Sequence, residues 1–463
     1  MMKKSAYLTY KKIFKEKNLN ELYEKTIHFN TASGIDGMVK KVFDKNPNLH
    51  FSIIDKKIYN GTYNFTPYKE KLFIKNRNSL PRMISIPTIR DKIVHKGLHI
   101  IMREAFLIKQ PLVQSVISDM KKDLEKFDSY IKIDIEKFYD NIDHDVLLKK
   151  LSKKIRHAPL QDIILKAIKT PTTAYGYSSN GGIESNELGV PQGLSISNTL
   201  AEIFFIDVDR KFKKMKTISY FRYVDDILIL CNRKKLESIK KKIVDELETD
   251  YLLKINEKKC SAGSINEEGF DFLGYRVQKI DNNENIGLTI KKNTKNKFEK
   301  SIVDMFTRYR DSEKVTIEEF VFHLNNKITG SISSKVNGDT EKEKKYGWVF
   351  FFSQVDDLNV FRHLDWFIKK MLVNFNLNNQ ISDKGLEVKS FLKTYYEIIY
   401  NRTKTKYIHR PDKLTIEEKK NLLIHTFNFR RSYLDTDEKI ERNYYSRVYK
   451  PIKKLEKDVQ NLS

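Results

Sequence analysis

In the stretch Tyr130-Ile131-Lys132-Ile133-Asp134, apolar residues alternate with Lys132 and Asp134, a period-two pattern that predicts a strand ending on an acid. Apolar runs also flank an acidic pair in Phe221-Arg222-Tyr223-Val224-Asp225-Asp226-Ile227-Leu228-Ile229-Leu230. That pattern reads as two strands with the Asp pair at the tip of a hairpin. Between these blocks, Asp143-His144-Asp145-Val146-Leu147-Leu148 has the character of a helix start, with Asp residues suited to capping. Gly189-Val190-Pro191-Gln192-Gly193-Leu194-Ser195-Ile196 breaks the chain, and an apolar-periodic helix follows, with Ser197 or Asn198 as its expected cap. Short strands are expected around Leu72-Phe73-Ile74 and Met83-Ile84-Ser85-Ile86. From residue 281 onward the pattern is helix-rich, interrupted by an expected charged loop at Asn337-Gly338-Asp339-Thr340-Glu341-Lys342-Glu343-Lys344-Lys345. Beyond it, Trp348-Val349-Phe350-Phe351-Phe352 and Leu364-Asp365-Trp366-Phe367-Ile368 supply aromatic bulk expected to form a helical core rather than base-stacking platforms.

The chemistry concentrates at the acids. Adjacent carboxylates in a tight turn between buried strands are costly unless compensated, and a divalent metal is the usual compensation. Asp134 is expected at a strand end, facing wherever the second strand pair delivers Asp225. One carboxylate from each of two strands, completed by phosphate oxygens and waters, suits Mg²⁺, with Mn²⁺ as a substitute. Two metals held in this way serve in-line phosphoryl transfer on nucleic acid. A Tyr-x-Asp-Asp tetrapeptide by itself would read as a solvated turn; its meaning here comes from its company. The loop ahead of the helix at Thr199 adds backbone amides and the Gln192 side chain for a bound nucleotide. Val355-Asp356-Asp357 echoes the acidic pair but lacks strand flanks, and is expected to be a polar turn.

In this order the three blocks resemble motifs A, B and C of the reverse transcriptase palm. Ser33-Gly34-Ile35-Asp36-Gly37 resembles the Gly-Ile-Asp-Gly segment of bacterial intron-type enzymes, and Arg82 to Val94 is similar to their Arg-x-x-x-Ile-Pro-x-x-x-Asp fingers block. Asn256-Glu257-Lys258-Lys259-Cys260 resembles motif D, and Phe270-Asp271-Phe272-Leu273-Gly274-Tyr275 the primer-grip motif E. The resemblance spans roughly residues 30 to 280 and is to the prokaryotic reverse transcriptases of group II intron, retron and phage-defence (abortive-infection) types. It implies an α+β right-hand polymerase: fingers and a palm, with an antiparallel sheet packed on helices, then a helical thumb and C-terminal domain. The expected division is residues 1–125 for N-terminal helices and fingers, 126–280 for the palm and 281–463 for the thumb and C-terminal domain.

The resemblance also implies roles. Asp134, Asp225 and Asp226 would hold two Mg²⁺ ions, Asp226 contributing less directly. Lys259 resembles the lysine that protonates pyrophosphate, with Lys258 the alternative by register. Lys75 and Arg82 match positions that clamp the triphosphate, the arginine bidentately and the lysine as a point charge; Lys69 and Lys71 lie close to Lys75 in this Lys-dense region. Gln192 would contact the incoming nucleotide. Tyr139 aligns with the aromatic gate beneath the deoxyribose, which implies dNTP in preference to rNTP; a core aromatic beside Phe138 is its other reading. Leu194 stands where the family usually has a second small residue, which bears on template handling. The chain shows no His-Asn-His endonuclease pattern with paired cysteines and no Asn-Ala-x-x-His or Val-Thr-Gly block, so the stand-alone defence-associated class fits best. The implied function is an RNA-directed DNA polymerase in antiphage defence, using a dedicated non-coding RNA template or self-priming, with dNTPs as substrates and DNA as product. The alternatives are a group II intron-encoded reverse transcriptase and maturase, an RNA-dependent RNA polymerase, and an RNA-binding scaffold with an inactive palm. Tyr139 and Gly-Val-Pro-Gln-Gly speak against the RNA polymerase, and the intact acids against the scaffold.

Composition changes this picture little. A net charge of +25 on 463 residues fits a polyanion partner, although richness in Lys, Asn and Ile throughout also fits an AT-rich genome. Cys231 and Cys260 lack zinc-ligand spacing and are too few for a disulfide scaffold, so buried reduced thiols in a cytoplasmic protein are expected. Met1-Met2-Lys3-Lys4 onward has no apolar core for a signal peptide, and no run approaches the ~20 apolar residues of a membrane helix. The oligomeric state is left open. Two stretches mix tyrosines with bases, Tyr395 to Tyr407 and Tyr444 to Lys450. They suit either stacking on single-stranded nucleic acid or half-buried amphipathic surfaces. The resemblance to defence-type enzymes adds a tyrosine hydroxyl as primer.

Overall fold

The computed structural model describes residues 5–27, 31–74, 81–174, 184–281, 284–337 and 340–459. The chain forms two compact units, Met1–Pro111 with Ser129–Ala262, and Leu112–Asp128 with Gly263–Ser463.

The first unit carries β1 (Tyr68–Phe73), β2 (Arg82–Ile86), β3 (Ser129–Ile133), β4 (Thr172–Thr173), β5 (Ile218–Tyr223) and β6 (Asp226–Cys231), with β7 (Ser261–Ser264) where the chain passes into the second unit. β2, β1 and β4 form one sheet, and β5, β6, β3 and β7, in that order, form the other. The strands expected at 72–74 and 83–86 are thus one antiparallel pair, Phe73 facing Arg82. β3 and β6 run antiparallel with Ile131 opposite Ile229 and Ile133 opposite Ile227. These four isoleucines belong to the same buried cluster as Phe204 and Phe205 of the helix Ser197–Lys213. The alternation read in the sequence is therefore the alternation between core and opposite face.

The helix Ile89–Phe106 shows why the fingers block has its residues. The Thr88 hydroxyl caps it by accepting from the Asp91 amide. The Asp91 carboxylate is buried and accepts from the Tyr63 hydroxyl (2.8 Å), the Thr88 hydroxyl (2.7 Å) and the Thr66 amide (3.3 Å). Gly34 abuts this cap: a Cβ there would lie 2.7 Å from the Thr88 Cα, so a side chain has no room. The expected cap at Asp143 also forms, accepting from the Val146 amide at 2.8 Å.

The second unit contains the antiparallel sheet β8 (Phe270–Phe272), β9 (Tyr275–Lys279) and β10 (Ile286–Ile290), followed mainly by helices, among them Lys292–Arg310, Ile317–Thr329, Asn359–Asn374 and Phe391–Tyr400. Two expectations are corrected here. The charged run at 337–345 is not a loop: β11 (Ser331–Asn337) pairs with β12 (Thr340–Tyr346), Ile332 opposite Lys345; residues 338–339 lie outside the described ones. Alternating charges carry no apolar signal, so only the partner strand reveals the pairing. Trp348 is core as expected, stacked on Phe298 at 4.3 Å, but Trp366 is 53% exposed because helical spacing turns Leu364 and Ile368 inward and 366 away from them. Asp356 and Asp357 latch β10, accepting from the Leu288 amide (3.0 Å) and the Thr289 hydroxyl (2.9 Å), while Asp356 also pairs with Lys121. Of the tyrosines in the basic stretches, Tyr395, Tyr407 and Tyr444 use their hydroxyls on backbone groups, whereas Tyr396, Tyr400 and Tyr445 are exposed. Among the described residues no helix is long and apolar enough to cross a membrane.

Candidate active site

Tyr223 pairs with Asp226 in the β5–β6 ladder, so the turn consists of Val224 and Asp225 alone. The hairpin expected from the flanking apolar runs is present, with Asp225 in the turn and Asp226 opening β6. Two-residue hairpin turns need positive φ, and Val224 supplies it at +58°. For a β-branched residue that conformation is strained by about 1–3 kcal/mol and must be held by its surroundings. One step beyond the Ile133–Ile227 pair, the β3–β6 register sets Asp134 opposite Asp226, on the face away from the isoleucines.

Asp134 is anchored by its backbone. Its carbonyl accepts from the Asn256 amide at 2.9 Å, the Glu136 amide donates to the Lys254 carbonyl at 2.9 Å, and its own amide lies 3.4 Å from the Cys260 sulfur. Motif D is thereby tied to motif A, and Lys259 Nζ sits 3.3 Å from Asp134 Oδ2. Burial pushes the Asp225 carboxyl above the ordinary aspartate range, its own backbone N–H pulls the other way, and the charge of Asp134 adds to the rise. Arg82 and Lys259 oppose that rise by their positive charge. Asp134, Asp225, Arg82 and Lys259, distant in sequence, therefore share one electrostatic neighbourhood.

Beside it lies a cavity of about 490 Å³ lined in part by Tyr139, Gln192, Leu194, Asn198 and Glu202. Tyr139 is half-buried rather than a core ring, and its hydroxyl donates to Asn198 Oδ1 at 2.7 Å. Burial, then the charges of Asp225 and Glu202, hold that phenol protonated. The loop ahead of the helix is pinned at both ends. The Val190 amide donates to the Tyr139 carbonyl (2.7 Å), and the Ser85 amide of β2 donates to the Gln192 carbonyl (2.7 Å). Gly193 has φ +100°, and a Cβ there would lie 2.7 Å from Ile84 Cγ2. The expected cap by Ser197 or Asn198 is not made: the Ser197 hydroxyl donates to the Pro191 carbonyl (2.6 Å), and Asn198 serves Tyr139. Both polar groups are used across the loop instead of along the helix. Leu194 is buried and packs in the core while lining this cavity.

Lys75 lies outside the described residues. The remaining site residues read from sequence fall into two adjoining groups: Asp134, Asp225, Asp226, Arg82 and Lys259 around the hairpin, Tyr139 and Gln192 at the cavity. Sequence reasoning missed Asn198, Cys260, Glu202 and Arg222. Arg222 was detectable, because it stands in phase with Tyr220 on the core face of β5, where an unpaired charge is not tolerated. The donor set fits a hard divalent cation: Asp225 and Asp226 at the hairpin with Asp134 at the neighbouring strand end, Asp225 being half-buried at a cost that a cation would relieve. Among the described residues no group of three or more His, Cys, Asp or Glu side chains is placed to hold a metal ion by itself.

Residues 74–277 match the family described as Reverse transcriptase (RNA-dependent DNA polymerase). Protein YkfC of Escherichia coli (strain K12) is 23% identical over 293 residues, covering 53% of this chain and 75% of that protein. The group II intron-encoded protein LtrA of Lactococcus lactis subsp. cremoris is 24% identical over 203 residues, covering 41% of this chain and 33% of that protein, so the match spans about a third of LtrA's length. A telomerase from Candida albicans, solved with a TWJ fragment of telomeric RNA, aligns at a TM-score of 0.39 with 13% identity, covering 96% of this chain and 74% of that one. Residues 74–277, which carry the acidic β-hairpin and the anchored strand end beside it, thus match a reverse transcriptase domain, and the sequence relatives are consistent with the prokaryotic reverse transcriptases.

Proposed function

We propose that this protein is an RNA-directed DNA polymerase that adds dNTPs to a 3′-hydroxyl, and that its setting is antiphage defence in the cytoplasm. The observation that carries the polymerase reading is the convergence of Asp134 and Asp225, delivered by separate strands, with Lys259 and Arg82 in the same electrostatic field. Asp134 and Asp225, with Asp226 in a lesser part, would hold two Mg²⁺ ions. When bound, such ions activate the primer hydroxyl and neutralise charge on the triphosphate and the departing pyrophosphate.

The chain's own residues do the rest. Arg82 presents a fork of donors at the edge of β2, suited to phosphate oxygens. Lys259 is 67% exposed while reaching Asp134, so it is free to turn from the carboxylate to a phosphate and deliver a proton there. Tyr139, with its hydroxyl held by Asn198, presents a fixed ring beside the Asp225 turn. In that place it leaves no room for a 2′-hydroxyl, which selects dNTP. The partners proposed are an RNA template, dedicated and non-coding, and the growing DNA strand.

The test is dNTP incorporation on an RNA template with Mg²⁺, measured beside thermal melting. Asp134→Ala and Asp225→Ala should each abolish incorporation while the melting temperature holds, since removing one acid relieves repulsion on the other. Near-normal synthesis by either variant would sink the polymerase reading. For the setting, phage plating on cells expressing the protein should drop, and the same variants should restore it.

A further inference from the structure

We infer that Arg222 is a positioning residue that holds the strained hairpin turn and so aims Asp225. Its side chain is 3% exposed and lies across one face of the helix Ser197–Lys213, where Glu202, Phe205 and Asp209 recur at i, i+3 and i+7. Nε and Nη2 donate to the two Asp209 carboxylate oxygens at 2.8 and 2.7 Å. Nη1 and Nη2 donate to the two Glu202 oxygens at 3.2 and 2.7 Å. The fifth donor, on Nη1, goes to the Val224 carbonyl at 2.8 Å. The guanidinium centre also stacks over Phe205 at 4.8 Å. All five guanidinium N–H groups are thus used, four to lock the fork to the helix and one to grip the turn.

That one bond falls on the residue that needs it. Val224 sits at φ +58°, and its carbonyl begins the peptide that carries Asp225. A turn strained there relaxes unless something over-determines it. Arg222, itself on β5, does so by tying the turn to the helix Ser197–Lys213 that follows the Gly189–Ile196 loop. A lysine cannot replace it: three donors on a point charge cannot hold two carboxylates in a fork and also reach the carbonyl.

The inference rests on the two-carboxylate reading, so its test has arms that do not depend on activity. Three readouts compare wild type, Arg222→Lys and, as a control for stability alone, Ile164→Val in the buried face of the helix Ala158–Lys169: thermal melting, amide exchange over residues 222–227, and Mn²⁺ binding followed by loss of the free-ion EPR signal. Arg222→Lys should speed exchange at the turn at least tenfold while the other strands stay protected. It should raise the half-saturating Mn²⁺ concentration at least fivefold, and lower kcat for incorporation more than it changes KM for dNTP. Ile164→Val should lower the melting temperature without moving Mn²⁺ affinity. If Arg222→Lys does not fold, the pair is compared in a Val224→Gly background, where glycine accepts the positive φ; there the lysine should shift Mn²⁺ affinity less than twofold. Turn exchange and Mn²⁺ affinity that merely track melting temperature across the variants, or a lysine effect equally large in the glycine background, overturn the inference. A wild-type protein that binds no Mn²⁺ overturns the metal reading instead, and the exchange arm still decides Arg222.

Discussion

Asp225 shows how a single side chain carries both chemistry and cost. Its folded carboxyl is held above the ordinary aspartate value by burial first, with a further rise from Asp134. The folded state therefore binds the proton more tightly than the unfolded one. Stability then falls as pH rises from the ordinary aspartate value, about 3.9, through the higher folded one. Asp225→Asn removes that cost. Without divalent metal it should melt above wild type at pH 7, and the gap should close as pH drops below about 4. A gap that is absent at pH 7, or that persists in acid, contradicts the assignment. Adding Mg²⁺ should raise the melting temperature of wild type only. Tyr139 makes a second prediction at this scale. Tyr139→Ala or Tyr139→Val should raise the kcat/KM ratio of rNTP to dNTP by about tenfold or more, the scale on which pocket contacts discriminate. An unchanged ratio would place sugar selection elsewhere.

At the scale of elements, the site depends on a loop clamped between a strand and a helix. Gly193 belongs to that clamp by geometry: its φ is +100°, and the backbone oxygen of Ser85 would lie 3.0 Å from an added Cβ. Gly193→Ala should cost about 1–3 kcal/mol from the positive φ alone. Because the Gln192 carbonyl is bonded to the Ser85 amide, the shift should also reach the Gln192 side chain and raise KM for dNTP several-fold. Melting and steady-state kinetics measured together decide this: lost stability with unchanged KM would separate the loop from the nucleotide. The elements themselves are partly legible in the sequence. Period-two alternation locates β3 and β5, and a continuous apolar run buried on both faces locates β6, whereas β12 gives no such signal because its residues alternate charge with charge. Trp366 departs from expectation for a related reason, since bulk suggests core while helical phase turns the ring outward.

For the whole molecule, the excess positive charge invites a nucleic-acid partner but does not say where it binds. The basic stretch after the helix Phe391–Tyr400 exposes Arg402, Lys404 and Lys406 beside Tyr400, itself 74% exposed. If this surface holds single-stranded RNA, changing Lys404 and Lys406 together to Ala should weaken binding. The log–log salt slope should become shallower by roughly 1.4, at about 0.7 for each phosphate that is no longer neutralised. Unchanged affinity and slope in a filter-binding titration would remove this surface from consideration. Linkage of DNA to protein is a separate matter: in the two stretches the exposed tyrosines are Tyr396, Tyr400 and Tyr445, and Tyr→Phe changes there test for protein-attached product without disturbing RNA affinity.

What the sequence determined by itself was local and periodic: which runs alternate, where glycine and proline break them, and which acids fall at strand ends. Those features depend on neighbours in the chain, and collinear blocks then carried the resemblance that singled out Asp134, Gln192 and Asp225. The tertiary structure decided what depends on approach through space. Asp134 meets Lys259, Asn198 abandons a cap to hold Tyr139, and Arg222 spans a helix and a turn with all five of its donors. Such partners are set by what the fold brings near, most strictly at buried Arg222, where polar groups removed from water must be satisfied, and no spacing along the chain records which group that will be.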